Sequence, residues 1–207
     1  LPVSILIEAF GVEQISLGAP LLGEVAQLSV TARAQYTEDV FDIDVQAQRT
    51  DGKAGSFALT ANYERSDTIL DLLLKLNEGP EGIVGRLLNL PGQPAVDMSV
   101  KGTGPLDDFS SDVVVSTDGQ ERLAGQITLG TQTPRRASDT PDRRVLADIG
   151  GDITALLAPR YREFFGDDVR LNVDALIEGS GAIELSAFTL KTEAADLSGK
   201  VALGADK

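Results

Sequence analysis

The sequence predicts a mainly β fold: an extended, antiparallel-rich sheet with one apolar face, accompanied by two short amphipathic helices. Three observations predict it. Apolar residues recur at every second position over most of the 207 residues, which is the period of a strand with one buried face. Two Asp-Gly dipeptides stand between alternating runs, where a tight hairpin needs positive φ at its central residues. Only two stretches carry helical period instead.

Taken in order, Val3, Ile5 and Ile7 alternate with Ser4, Leu6 and Glu8. Phe41, Ile43, Val45 and Ala47 alternate with Asp42, Asp44, Gln46 and Gln48, and Asp51-Gly52 follows as a turn. Phe57, Leu59, Ala61 and Tyr63 form the return strand. Leu70, Leu72, Leu74 and Leu76 make the next stripe, then Val96, Met98 and Val100, then Val113 and Val115. A second turn at Asp118-Gly119 leads to Leu123, Gly125, Ile127 and Leu129. Later stripes are Leu171, Val173, Ala175 and Ile177, then Ile183 and Leu185, Phe188 and Leu190, and finally Leu197, Gly199, Val201 and Leu203, with Gly179-Ser180-Gly181 as a turn.

The first helical stretch is 81–90, with Ile83, Val84, Leu87 and Leu88 on one face between Pro80 and Pro91-Gly92. The second is 152–165, opened by Asp152 as N-cap, broken at Pro159 and stopped by Gly166. The stretch 131–147, rich in Thr, Pro, Arg and Asp, reads as a loop with the composition of a disordered segment. It divides the chain into a sheet segment at 1–130 and a helix with further strands at 148–207, read as two repeats of one arrangement, with two unrelated domains as the alternative. The chain starts at Leu1 without a leader-like or spanning stretch and reads as a fragment of a longer protein.

Composition argues by exclusion. With no cysteine and no histidine, thiolate chemistry, serine–histidine triads and the usual zinc and iron sites are ruled out. The expectation is a non-enzyme without cofactor or metal. The net charge of -14 opposes binding to nucleic acid. The acidic pairs Glu38-Asp39, Asp107-Asp108 and Asp167-Asp168 lie outside any calcium-loop frame. Arg135-Arg136 and Arg143-Arg144 are candidate contacts for anionic headgroups, with a solvated, locally compensated loop as the simpler reading. Gly102-x-Gly104 lacks the rest of a nucleotide loop and reads as a place where the backbone turns without room for side chains.

A sheet of this extent must bury its apolar face against something, and two short helices offer too little cover. Either the sheet closes over itself as a sandwich or barrel, or part of the face takes an apolar ligand.

Three segments carry a family resemblance. They are Leu73 to Gly92, with Leu-Asn-Glu-Gly-Pro and Leu-Pro-Gly; Val100 to Phe109, with Gly-x-Gly-Pro-Leu; and Asp152 to Gly166, with Pro-x-Tyr-Arg-x-Phe-Phe-Gly. Together they resemble the middle region of the TamB (translocation and assembly module) family of AsmA-like proteins, in its alphaproteobacterial form. The resemblance implies a sheet curled into a β-taco or incomplete sandwich with an apolar groove. It also implies a periplasmic location, a parent anchored in the inner membrane, and an outer-membrane partner of the TamA/BamA type reached through parts outside this chain. The implied ligands are phospholipid acyl chains in transit between the membranes. The implied groove residues are Phe41, Ile43, Val45, Phe57, Leu59, Leu70, Leu72, Leu74, Val113, Val115, Ile127, Leu129, Leu171, Val173, Leu185, Leu190 and Val201. A scaffold that assists outer-membrane protein assembly by β-augmentation is the alternative.

Overall fold

The computed structural model describes residues 4–19, 25–66, 68–133 and 140–203. Twelve strands form one sheet in strict sequence order, each antiparallel to the next. They are β1 (Ile5–Leu17), β2 (Ala26–Tyr36), β3 (Val40–Arg49), β4 (Gly55–Glu64), β5 (Ile69–Glu78), β6 (Val96–Pro105), β7 (Asp108–Thr117), β8 (Gln120–Gln132), β9 (Asp142–Gly151), β10 (Val169–Ile177), β11 (Ile183–Lys191) and β12 (Asp196–Leu203). At about 4.8 Å per strand the array spans roughly 53 Å. Among the described residues there is no second layer.

The sequence reading missed two strands. β2 alternates Ala26, Leu28, Val30, Ala32 and Ala34 with polar residues, but its small alanines weaken the contrast. β9 corrects the loop expected over 131–147: β8 runs to Gln132 and β9 begins at Asp142. Composition misled there, because the arginines and aspartates of Asp142–Gly151 sit between paired strands whose ladder bonds supply what propensity does not. Val3, Arg135, Arg136, Ser138 and Asp139 lie outside the described residues.

The turns differ in kind. Asp118 and Gly119 both take positive φ (51° and 73°) and join β7 to β8 directly, as the dipeptide predicts. At Asp51-Gly52 only Gly52 does so (φ 86°), and the connection widens to residues 50–54. Asp51 is occupied otherwise: its carboxylate accepts from Arg49 Nη2 at 2.6 Å and Arg49 Nε at 3.0 Å, and from the Gln27 amide at 3.2 Å.

Both helices are shorter than expected. α1 is Ile83–Leu87, and both Leu87, its last residue, and Leu88, its C-cap, are exposed. The second stretch is a 3₁₀ turn at Thr154–Leu156 followed by α2 at Pro159–Phe165, broken before Pro159 and ended by Gly166 at φ 67°. Ile153, not the expected Asp152, is the N-cap of the turn; Asp152 stands one residue earlier and accepts from the Thr154 amide at 2.9 Å. The Thr154 hydroxyl and that amide bond hold its carboxyl below the usual range.

Both helices lie at the same ends of the strands, in the β5–β6 and β9–β10 connections. Among the described residues the opposite strand ends carry only turns, such as Leu106-Asp107. Burial concentrates at both ends of the strands: Ala26, Arg49, Glu78, Val96, Thr117 and Val169 are buried at the helix-bearing rim, and Phe109, Asp142 and Leu176 towards the opposite one. The total accessible surface is 12973 Å², against about 9,300 Å² for a compact chain of this mass. Most of the sheet is therefore uncovered.

Candidate functional site

Directly opposed residues of an antiparallel ladder share a face, so the register shows which stripes meet. One row runs Phe10, Ala32, Val45, Leu59, Leu74, Val100, Val113, Gly125, Ile149, Leu171, Leu190, Leu197, one residue from every strand. The neighbouring row includes Ile43, Ala61, Leu72, Ile127, Ala147, Val173 and Phe188, with Gly102 and the buried Ser111 between Leu72 and Ile127. Phe57 and Val115 lie in a third row with Leu76 and Met98. Phe41 and Leu70 are joined through Tyr63, and Leu129, Leu185 and Val201 through Val145 and Ala175. Every residue expected to line a groove therefore lies on one face.

That continuity depends on bulges the alternation does not announce. In β11 the apolar residues sit at 183 and 185, then at 188 and 190, a change of parity. The ladder steps from Ala175–Leu185 to Val173–Phe188, inserting one extra residue and returning both pairs to the same face. β1 uses the same device between Ile7 and Phe10 and again between Val12 and Ile15. Without these insertions half of each strand would show its apolar side to the wrong face.

The face is uncovered without being bare. Phe41 and Val201 are exposed, and the other expected groove residues are half-buried, shielded by their neighbours in the rows. Glycines shape its middle. A Cβ on Gly102 would come within 2.5 Å of Phe109 Cζ, so the Phe109 ring lies over that glycine. A Cβ on Gly125 would come within 2.1 Å of the Asp148 carbonyl oxygen. The turn expected at Gly102-x-Gly104 falls instead at Leu106-Asp107; both glycines pair within β6, where Gly104 has φ 156° and a Cβ on it would come within 3.3 Å of the Asp108 carbonyl oxygen. The sequence reading had no means of finding Phe10, Val30, Ala32, Val145 or Ile149, whose place depends on the bulges and the two missed strands.

The opposite face is polar, with Asp44, Thr60, Lys101, Asp112, Gln126, Asp148, Asn172 and Thr189 in one row and Leu73 as an apolar exception. Its broad depressions lie over small side chains, as at Ala124 and Gly150. Arg144 forms a two-bond ion pair with Asp174 (Nη2–Oδ2 2.6 Å, Nε–Oδ1 2.9 Å), which raises the guanidinium pKa. Arg143 lies one residue away and points to the other face, exposed.

At the helix-bearing rim the apolar face ends in a pocket of about 150 Å³. Its floor includes Leu28, Ala47, Phe57 and Leu76, and Ile83 and Val84 of α1 close it. Glu78 holds α1 in place: its carboxylate accepts from the Ile83 amide and, at 2.7 Å, from the Val84 amide. The Glu78 carboxyl lies where a Cβ on residue 82 would be, so this lock requires Gly82.

Beside the pocket, the Arg49 side chain is 2 % exposed and its ion pair with Asp51 measures 2.6 Å. Arg49 holds the Asp51 carboxyl well below the usual carboxylate range. A depressed folded value means the stabilisation is complete above the ordinary value of 3.8 and is lost as pH falls through the folded one. Asp51→Asn is expected to cost about 2 kcal/mol at pH 7 by leaving a buried guanidinium with a neutral partner. In urea titrations the gap to the parent should narrow steadily below pH 3.8; a gap independent of pH would show that the ion pair is not its cause.

No protein-family model, curated protein or solved structure matches this chain. Among the described residues no cluster of acidic side chains is arranged to hold a metal ion, and no helix is long and apolar enough to cross a membrane.

Proposed function

We propose that this chain is a segment of a TamB-like periplasmic bridge that carries the acyl chains of phospholipids along its apolar face. The observation that supports this is an apolar row crossing all twelve strands at right angles to the chain direction, with partial apolar rows beside it and, among the described residues, no layer over them. In this reading the sheet curls about those rows into a trough, and its long axis is the path of the lipid. Side chains without hydrogen-bonding groups suit hydrocarbon, which is held in proportion to buried area at about 25 cal/mol per Å². Neighbouring positions along a row are chemically alike, so a chain slides between sites of near-equal affinity and meets no deep trap. Transport is passive along the segment. Anchoring in the inner membrane and contact with an outer-membrane TamA/BamA-type partner belong to parts of the parent outside this chain.

One observation favours the second reading, a scaffold for outer-membrane protein assembly by β-augmentation. β1 and β12 each have one side without a partner strand among the described residues. The two edges are unequal, because bulges interrupt β1 and bulged edges resist added strands.

Native mass spectrometry of the purified chain tests the proposal. The expected spectrum contains one or more bound phospholipids released as intact lipid on activation. A lipid-free spectrum from material expressed in a Gram-negative host would overturn it. A photoreactive residue at Val45 or Leu72 should crosslink to lipid; crosslinks to unfolded outer-membrane polypeptide would favour the scaffold.

A further inference from the structure

We infer that the pocket under α1 is a seat for the methyl end of a straight alkyl chain, where a lipid tail on the apolar face comes to rest. This rests on the lipid-carrying reading and adds a defined position to a face otherwise made of near-equivalent sites.

Three features carry the inference. The floor of the pocket is a stretch of an apolar row, Ala47, Phe57 and Leu76, at the rim of the face, so a chain lying on the face can enter without crossing a polar barrier. The charged groups at its margin are engaged with the protein: Arg49 holds Asp51, and Glu78 holds the α1 amides. They offer nothing to a headgroup, and the surplus of acids in the chain repels a phosphate. The tail therefore enters first and the headgroup stays outside. The volume of about 150 Å³ is that of an apolar cavity which stays dry and accepts a ring of about six carbons in another protein.

The rim helix then has a role beyond covering the strand ends. Ile83 and Val84 form a roof only while Glu78 fixes the first turn, and Gly82 leaves Glu78 the space to do so. A chain end held there stops sliding along the row until it withdraws, so the pocket would act as a resting point on the path.

Binding of straight-chain alcohols from butanol to decanol to the 207-residue chain tests this, followed by the methyl NMR signals of Ile83, Val84, Leu28 and Leu76. Affinity should rise about fourfold for each added methylene until the pocket is filled near ~6 carbons, and more slowly after that. Ala47→Leu, which fills the floor, should weaken hexanol at least tenfold. Ala34→Leu, on the same face but in another row, should change it less than twofold. Circular dichroism confirms that both variants fold. Hexanol shifts spread evenly over the apolar face, or equal losses from the two substitutions, would overturn the seat. Lipid-bearing protein that shows no hexanol preference for the pocket removes the seat and keeps the lipid-carrying reading. Saturable hexanol binding under α1 in a chain that never carries phospholipid keeps the seat and removes lipid carriage.

Discussion

Leu72→Asp is expected to strip the chain of co-purifying phospholipid while leaving its strand content unchanged. Leu72 stands between Ala61 and Gly102 in the middle of an apolar row and is half-buried. In the free protein a carboxylate there keeps much of its water, so the fold loses about 1 kcal/mol or less beyond the leucine contacts. With an acyl chain laid across it the carboxylate must shed that water, and the chain also loses the leucine surface, worth roughly 2 kcal/mol. Occupancy should fall by about 30-fold or more. Leu73→Asp is the control, being the same change one residue away on the polar face; it should retain lipid. If the two variants lose lipid equally, the effect comes from the fold and the proposed path fails.

Gly125→Val is expected to produce a large loss of stability. The new Cβ would stand 2.1 Å from the Asp148 carbonyl oxygen and 2.6 Å from the Ile149 Cα. Both are backbone atoms of the paired strand β9, and moving them breaks the ladder on either side. A cost of about 3 kcal/mol or more follows from overpacking of this severity, a fall of about 6–12 °C in midpoint for a chain of this length. Gly199→Val supplies the comparison, since nothing lies within 4 Å of a Cβ there. It should change the midpoint by less than about 2 °C. Equal effects at the two positions would mean that strand propensity and not the close approach governs the cost.

Much of the sheet is legible in the sequence because strand period is a local property. β3, β4 and β5 alternate so regularly that their faces can be read directly, and the Asp118-Gly119 turn states its own geometry. The failures have physical causes. β2 hides behind alanines, and β9 behind a composition that suits a loop until strands on both sides supply its ladder bonds. In β1 and β11 the apolar positions change parity midway, and a local reading cannot tell whether the chain has ended a strand or inserted a bulge. The first helix was over-extended because Leu87 and Leu88 keep helical spacing although both are exposed.

By itself the sequence determined that this protein is mainly β, that its strands are apolar on one side, and that two short stretches carry helical period. Only the tertiary structure decided that the strands follow one another in a single twelve-stranded meander. It also decided that bulges bring the apolar stripes to one face, that α1 and α2 stand at one rim, and that among the described residues no second layer lies over the face. The division follows from what each kind of information contains. Alternation specifies which side of a strand avoids water, whereas register and cover depend on atoms far away in the chain, and a period of two is the same whether its apolar side meets another sheet or none.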